Sequence, residues 1–126
     1  MRNDTILWPK HLHKKGDFKD TSLSAVSAFL KPFPKIIFKQ GFFPQSAKGL
    51  SVPRFSFVHI DVDIYQSVLD SLNYFYPQMA RGGVMLFDDY QWKDTPGVEE
   101  AIHEFFKDKP EKPTISAVYQ CLIIKY

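Results

Sequence analysis

The chain has one cysteine in 126 residues, Cys121, and therefore no internal disulfide; packing and hydrogen bonding must supply whatever stability it has. Charge of one sign is also lacking, since 16 basic and 14 acidic residues leave a net +2. So mild a balance does not point to nucleic acid or an anionic membrane as the main partner. No apolar run approaches the ~18 residues of a membrane span, and no charged-then-apolar leader is written at the start. The expectation is a cytoplasmic protein in a reducing setting, with no nucleic-acid or membrane partner. Glycine is sparse: the six stand at 16, 41, 49, 82, 83 and 97, so no G-x-G occurs. The backbone turn that such spacing builds around a phosphate is not encoded here.

What is present is an ordinary globular composition, 44% hydrophobic and 24% charged, with a high aromatic share of 16%. The length suits one modest domain, and neither internal repeat nor linker interrupts it. The chain is organised around residues 55–90, where two short apolar runs each end in paired carboxylates: Asp61 and Asp63, then Asp88 and Asp89. An ionised Asp inside a buried strand costs several kcal/mol, so each strand is expected to stop where its acids begin. Between the runs, Val68, Leu69, Leu72, Phe75, Tyr76 and Met79 follow the spacing of an amphipathic helix, which Pro77 and Gly82-Gly83 are expected to close. Strand, helix, strand at this length predicts a right-handed βαβ unit with two parallel, neighbouring strands. In such sheets ligands bind beyond the carboxyl ends of the strands, where all four acids lie.

Before this unit, residues 1–20 are polar and aperiodic and read as a loop or lid. Thr21-Ser22 caps a helix bearing Leu23, Val26 and Leu30, stopped by Pro32 and Pro34. Residues 35–43 read as a strand from their β-branched and aromatic content. After it, Thr95-Pro96 opens a helix with Glu99 and Glu100 in its first turn and Val98, Ala101, Ile102, Phe105 and Phe106 as its apolar stripe. Residues 114–118 and 121–126 predict an antiparallel hairpin at the sheet edge.

Carboxylates converging on one crevice repel one another, and a hard divalent cation is the usual remedy; oxygen-only ligands suit Mg²⁺. Asp61, Asp88 and Asp89 supply such a set, and Asp63, on the same side of the extended chain as Asp61, is placed to take a proton from an acceptor hydroxyl. The bland alternative is that Asp63 or Asp89 merely caps the following helix, and a D-x-D pair also serves metal-dependent glycosyltransferases. His11-x-His13 has no Cys or acid at ligand spacing and reads as solvated loop. His59 reads as a hydrogen-bonded core histidine, and Cys121 as core packing. The Phe and Lys residues interleaved over 29–43 resemble a stacking surface for single strands, but a helix end followed by a buried strand explains them better.

HIDVDIY (59–65), the Tyr- and Pro-containing helix after it, RGGVMLFDDY (81–90) and Pro-Gly-Val at 96–98 resemble the macrocin (TylF-type) O-methyltransferases. The likeness reaches back to HKKGDFKDTSLSAVSAFL, which is similar to the family's lid and following helix, and to IIFKQGFFPQS, similar to its third strand and the turn after it. It implies an α/β, Rossmann-like class I methyltransferase sheet with a C-terminal β-hairpin. The first strands and the Gly-rich loop are absent from the match, so residues 1–126 form a partial methyltransferase domain, 1–20 a lid or loop and 21–126 the α/β core. It also implies S-adenosylmethionine as methyl donor, Mg²⁺ as cofactor and a sugar or related hydroxyl of a small-molecule glycoside as acceptor. Asp61, Asp88 and Asp89 would be the metal ligands, Asp63 the general base, and Gly41-Phe42 the turn near the cofactor's adenosine. Tyr65 and Tyr90, next to the acids, line the sugar site or belong to the core. Gln45-Ser46 departs from the family's frequent Asp-Thr. The exposed strand edge that the absent strands would leave calls for a homo-oligomer or a missing N-terminal portion to cover it. The alternatives are a non-catalytic remnant that keeps the acidic site, and a glycosyltransferase using Asp61-x-Asp63.

Overall fold

The computed structural model describes residues 20–126. The expected lid, and with it His11 and His13, lies outside them apart from Asp20. The elements run α1 (Leu23–Leu30), β1 (Phe55–Ile60), α2 (Tyr65–Phe75), β2 (Met79–Asp88), α3 (Pro96–Phe106), β3 (Thr114–Ala117) and β4 (Gln120–Ile124). The strands form one mixed sheet in the order β1-β2-β4-β3. β1 and β2 pair in parallel through the α2 crossover, as the carboxylate-terminated runs predict. β4 lies antiparallel to β2 and makes the expected hairpin with β3.

Alternation along the strands decides which face is buried. Val58 and Ile60 of β1, Met85 and Phe87 of β2, and Ile123 and Cys121 of β4 are buried. The register sets them in two rows, Val58–Met85–Ile123 and Ile60–Phe87–Cys121. Tyr65, Val68 and Leu72 of α2 and Val98, Ala101, Ile102 and Phe106 of α3 complete this core. Phe87 is fully buried on a central strand, where truncation to Ala generally costs about 3–5 kcal/mol. The two helices meet closely: a Cβ on Gly97 would lie 2.9 Å from Cβ of Tyr65. The opposite face of the sheet carries Phe57, His59 and Ile124, all exposed.

Two sequence expectations are corrected. Residues 35–43 do not form a strand, although Ser22 does cap α1 as expected, accepting from the Ala25 N–H at 3.1 Å. A strand exists only through its ladder; the described residues give 36–40 no partner, and Ile37 stays 69% exposed. Gly82-Gly83 do not close α2 but lie inside β2, because the chain reverses earlier, through the 3₁₀ turn Tyr76–Gln78. Gly82, at φ +76, forms an irregularity where the β1–β2 register jumps from Phe55↔Met79 to Phe57↔Val84. Its N–H donates to the Lys125 carbonyl. Among the described residues no helix is long and apolar enough to cross a membrane.

Candidate acidic site at the strand ends

β1 stops at Ile60 and β2 at Asp88, so the two pairs of acids sit side by side where parallel strands end. Asp61, Asp63 and Asp89 each bring a carboxylate oxygen within 4.8 Å of the others'. Two of these residues get there by an uncommon backbone: Asp63 at φ 55 and Asp89 at φ 59 are left-handed, a conformation that aspartate tolerates better than most residues. The α2 N-cap is Ile64 and the α3 N-cap is Thr95, neither with a side-chain capping bond. Thr95 Oγ1 donates instead to the Asp89 carbonyl at 3.1 Å.

The loop bearing Asp89 is held from outside the site. Trp92 N–H donates to the Asp89 carbonyl at 3.2 Å, Tyr90 N–H donates to the Tyr119 carbonyl at 3.0 Å, and the Trp92 ring meets Tyr119 edge-on at 4.5 Å. The β3–β4 turn thus fixes the direction in which Asp89 points.

Like charges so close are costly: a carboxylate pair at this separation repels by roughly 1–3 kcal/mol, depending on how much water screens it. The Asp61 carboxyl is accordingly raised above its ordinary value, first by burial and then by the charges of Asp88 and Asp89, with His59 partly offsetting them. An all-oxygen donor set that repels itself is what a hard cation such as Mg²⁺ satisfies, and Asp61, Asp63 and Asp89 could hold one.

Asp88 is engaged elsewhere. His59 Nε2 lies 2.8 Å from its Oδ2, and Gln120 Nε2 donates to its Oδ1. The converging trio therefore contains Asp63 where the sequence reading has Asp88. His59 itself is no core residue, its side chain being 44% exposed. The alternation that sets Asp61 and Asp63 on one side places His59 there as well, which is the sequence clue to its role; Gln120 has none, because only the β2–β4 register brings it opposite Asp88. Tyr65 and Tyr90 are buried. Their hydroxyls bond Glu104 at 2.7 Å and His103 at 2.9 Å, so both tie neighbouring elements to α3. Burial raises the Tyr90 hydroxyl, with Cys121 and Glu99 adding to it.

Gly41 and Phe42 occupy a separate turn, in which the Ser46 N–H donates to the Phe42 carbonyl at 2.8 Å. The Phe42 ring is 92% exposed. The turn is seated on α2 through Phe43, which stacks on Phe75 at 5.4 Å and meets Tyr74 edge-on at 5.2 Å.

Comparison with known proteins finds methyltransferases. Mycinamicin III 3''-O-methyltransferase of Micromonospora griseorubida is 28% identical over 101 residues, covering 75% of this chain and 39% of that protein. The 8-demethyl-8-(2,3-dimethoxy-alpha-L-rhamnosyl)-tetracenomycin-C 4'-O-methyltransferase of Streptomyces olivaceus is 27% identical over 71 residues, 56% of this chain and 26% of its own length. The chain thus spans well under half of either relative. Among solved structures, the O-methyltransferase NovP superposes with a TM-score of 0.74 at 19% identity over 94% of this chain and 55% of NovP. Apo CalS11, a TDP-rhamnose 3'-O-methyltransferase in calicheamicin biosynthesis, gives 0.50 at 15% identity, over 79% of this chain and 36% of that one. These likenesses establish a methyltransferase-like α/β fold. The family model for macrocin-O-methyltransferase (TylF) matches residues 14–121, and on that match the chain belongs to the macrocin-O-methyltransferase family.

Proposed function

We propose that this chain provides the acceptor-side part of an S-adenosylmethionine- and Mg²⁺-dependent O-methyltransferase that modifies a sugar or related hydroxyl of a glycoside. The observation that carries the reading is the convergence of Asp61, Asp63 and Asp89 at the ends of two parallel strands in a chain of this family. The relatives named above are O-methyltransferases, and the name of the tetracenomycin enzyme places its methyl group on a rhamnosyl-bearing molecule.

In this mechanism Asp61 and Asp89 would hold the cation, and Asp88, anchored by His59 and Gln120, would add its charge beside them. When bound, Mg²⁺ screens the carboxylates and acidifies a hydroxyl brought to it. Asp63 would accept the proton of the acceptor hydroxyl, and S-adenosylmethionine, when bound, would supply the methyl group to that oxygen, an O–C bond replacing the S–C bond. The turn at Gly41 and Phe42 would lie near the adenosine of the methyl donor.

The exposed Phe57 and Ile37, apolar surface left open among the described residues, favour a second reading. It is a domain that keeps the fold and the acids but binds no methyl donor. A D-x-D glycosyltransferase is disfavoured by the family match and by Asp89's share in the cluster. Calorimetric titration of S-adenosylmethionine with Mg²⁺ present separates the first two. Micromolar binding that weakens in Asp61→Ala is expected; a folded chain that binds none would sink methyl transfer by this chain alone and leave the second reading or a missing N-terminal portion.

A further inference from the structure

Asp88 lies on β2 between a residue from each neighbouring strand. In the register His59 is opposite Leu86, two positions before Asp88 on the same face, and Gln120 is directly opposite Asp88. His59 Nε2 stands 2.8 Å from Oδ2 and Gln120 Nε2 donates to Oδ1, so each carboxylate oxygen has its own donor, from opposite sides. A carboxylate only accepts, so the imidazole donates through Nε2. Two donors on two oxygens fix both the position and the rotation of the carboxylate plane, which one donor would leave free to turn. Each oxygen retains a lone pair for a further partner.

We propose that His59 and Gln120 are positioning residues, which clamp Asp88 so that its charge meets the Asp61–Asp63–Asp89 cluster in one orientation and thereby sets the cluster's affinity for a divalent cation. The proposal rests on the cation reading given above. A chance cross-strand tie would use one donor and one oxygen, whereas this row engages both oxygens across three strands at the edge of the cluster. Residues that orient metal-binding carboxylates typically change metal affinity 10–100-fold when removed.

The test is titration of Mn²⁺ into the full 126-residue chain, read by the loss of free-ion paramagnetic resonance, together with carbon NMR of the Asp88 carboxylate in the metal-free protein. His59→Ala and Gln120→Ala should each bind Mn²⁺ about tenfold more weakly or worse. His59→Gln, which restores an N–H donor near the Nε2 position, should recover most of the loss. Alanine variants that bind as tightly as the parent, or a glutamine variant as weak as the alanine one, would overturn the clamp. If the parent chain binds no Mn²⁺, the cation reading fails, and the NMR signal judges the clamp alone. A carboxyl shift that moves in both alanine variants and returns in His59→Gln supports it, and a shift indifferent to all three refutes it. Should His59→Ala not fold, Gln120→Ala and His59→Gln decide by the same readings.

Discussion

Replacing Lys125 by Met reaches a carboxylate that, alone among the described residues, the fold takes wholly out of water. Glu111 has a side chain with no exposed surface, and Lys125 stands 3.0 Å from it, 22% exposed. Two other donors serve the same carboxylate: the Tyr76 hydroxyl at 3.0 and 3.1 Å and the Tyr126 N–H at 3.2 Å. Lys125 also lies over the Tyr76 ring, 4.3 Å from its centroid. Burial by itself would raise the Glu111 carboxyl, but the bonds from Lys125, from its own backbone, and from Tyr126 and Tyr76 outweigh it and hold the group below its ordinary value. Lys125 is raised by the Tyr76 and Glu111 bonds.

Removing one member of a buried ion pair costs about 3–5 kcal/mol. Because Lys125 is partly wet and two donors remain, about 2–3 kcal/mol is expected for Lys125→Met at pH 7, which is roughly 8–12 °C in Tm for a chain of this size. The pH dependence is the sharper signature. A depressed acid contributes stability that is present above its unfolded value, about 4.3, and is lost as pH falls through the folded one. The parent should therefore hold its Tm across neutral pH and lose it on acidification below that value. A raised lysine contributes fully below its unfolded value and loses its share as pH rises through the folded one, so the parent also weakens at strongly alkaline pH. In Lys125→Met, burial dominates Glu111, its folded value rises above the unfolded one, and the variant should gain stability as pH falls from 7 towards 5. Thermal melts by circular dichroism from pH 4 to 8 decide this. A variant within about 0.5 kcal/mol of the parent at pH 7, or a deficit that does not shrink between pH 7 and 5, would refute the account of Glu111 as a buried charge held by its partners.

Gly97→Ala should destabilise the chain by about 1–3 kcal/mol, since the new methyl would stand 2.9 Å from Tyr65 Cβ and 3.2 Å from the Tyr65 backbone nitrogen; denaturant melts measure it, and an unchanged midpoint would mean that α2 and α3 can separate freely. Cys121 is fully buried, and burial, with Glu99 adding to it, pushes its thiol up to about 12. It should stay inert to a disulfide reagent at pH 8 in the native protein and react at once in denaturant, whereas fast native labelling would contradict the packing of β4 on β2.

The sequence by itself determined the central βαβ unit, because apolar runs that end in carboxylates must end as strands there, and a helical stripe between them forces a parallel crossover. It determined the β3–β4 hairpin and the α3 start at Pro96 in the same way, from local patterns that burial reinforces. Tertiary structure decided what local pattern could not. Residues 35–43 have strand composition but no ladder, and without partners composition makes no strand. Four aspartates at two strand ends were legible as a cluster, but which of them converge depended on the left-handed turns at Asp63 and Asp89 and on the donors that reach Asp88 from β1 and β4. His59 reads as core because its strand is apolar, yet alternation puts it on the wet face beside the acids. Glu111 and Lys125 are 14 residues apart, and nothing in their local sequence marks them as a pair. Spacing along the chain fixes which face a side chain takes, and the fold alone fixes what waits for it there.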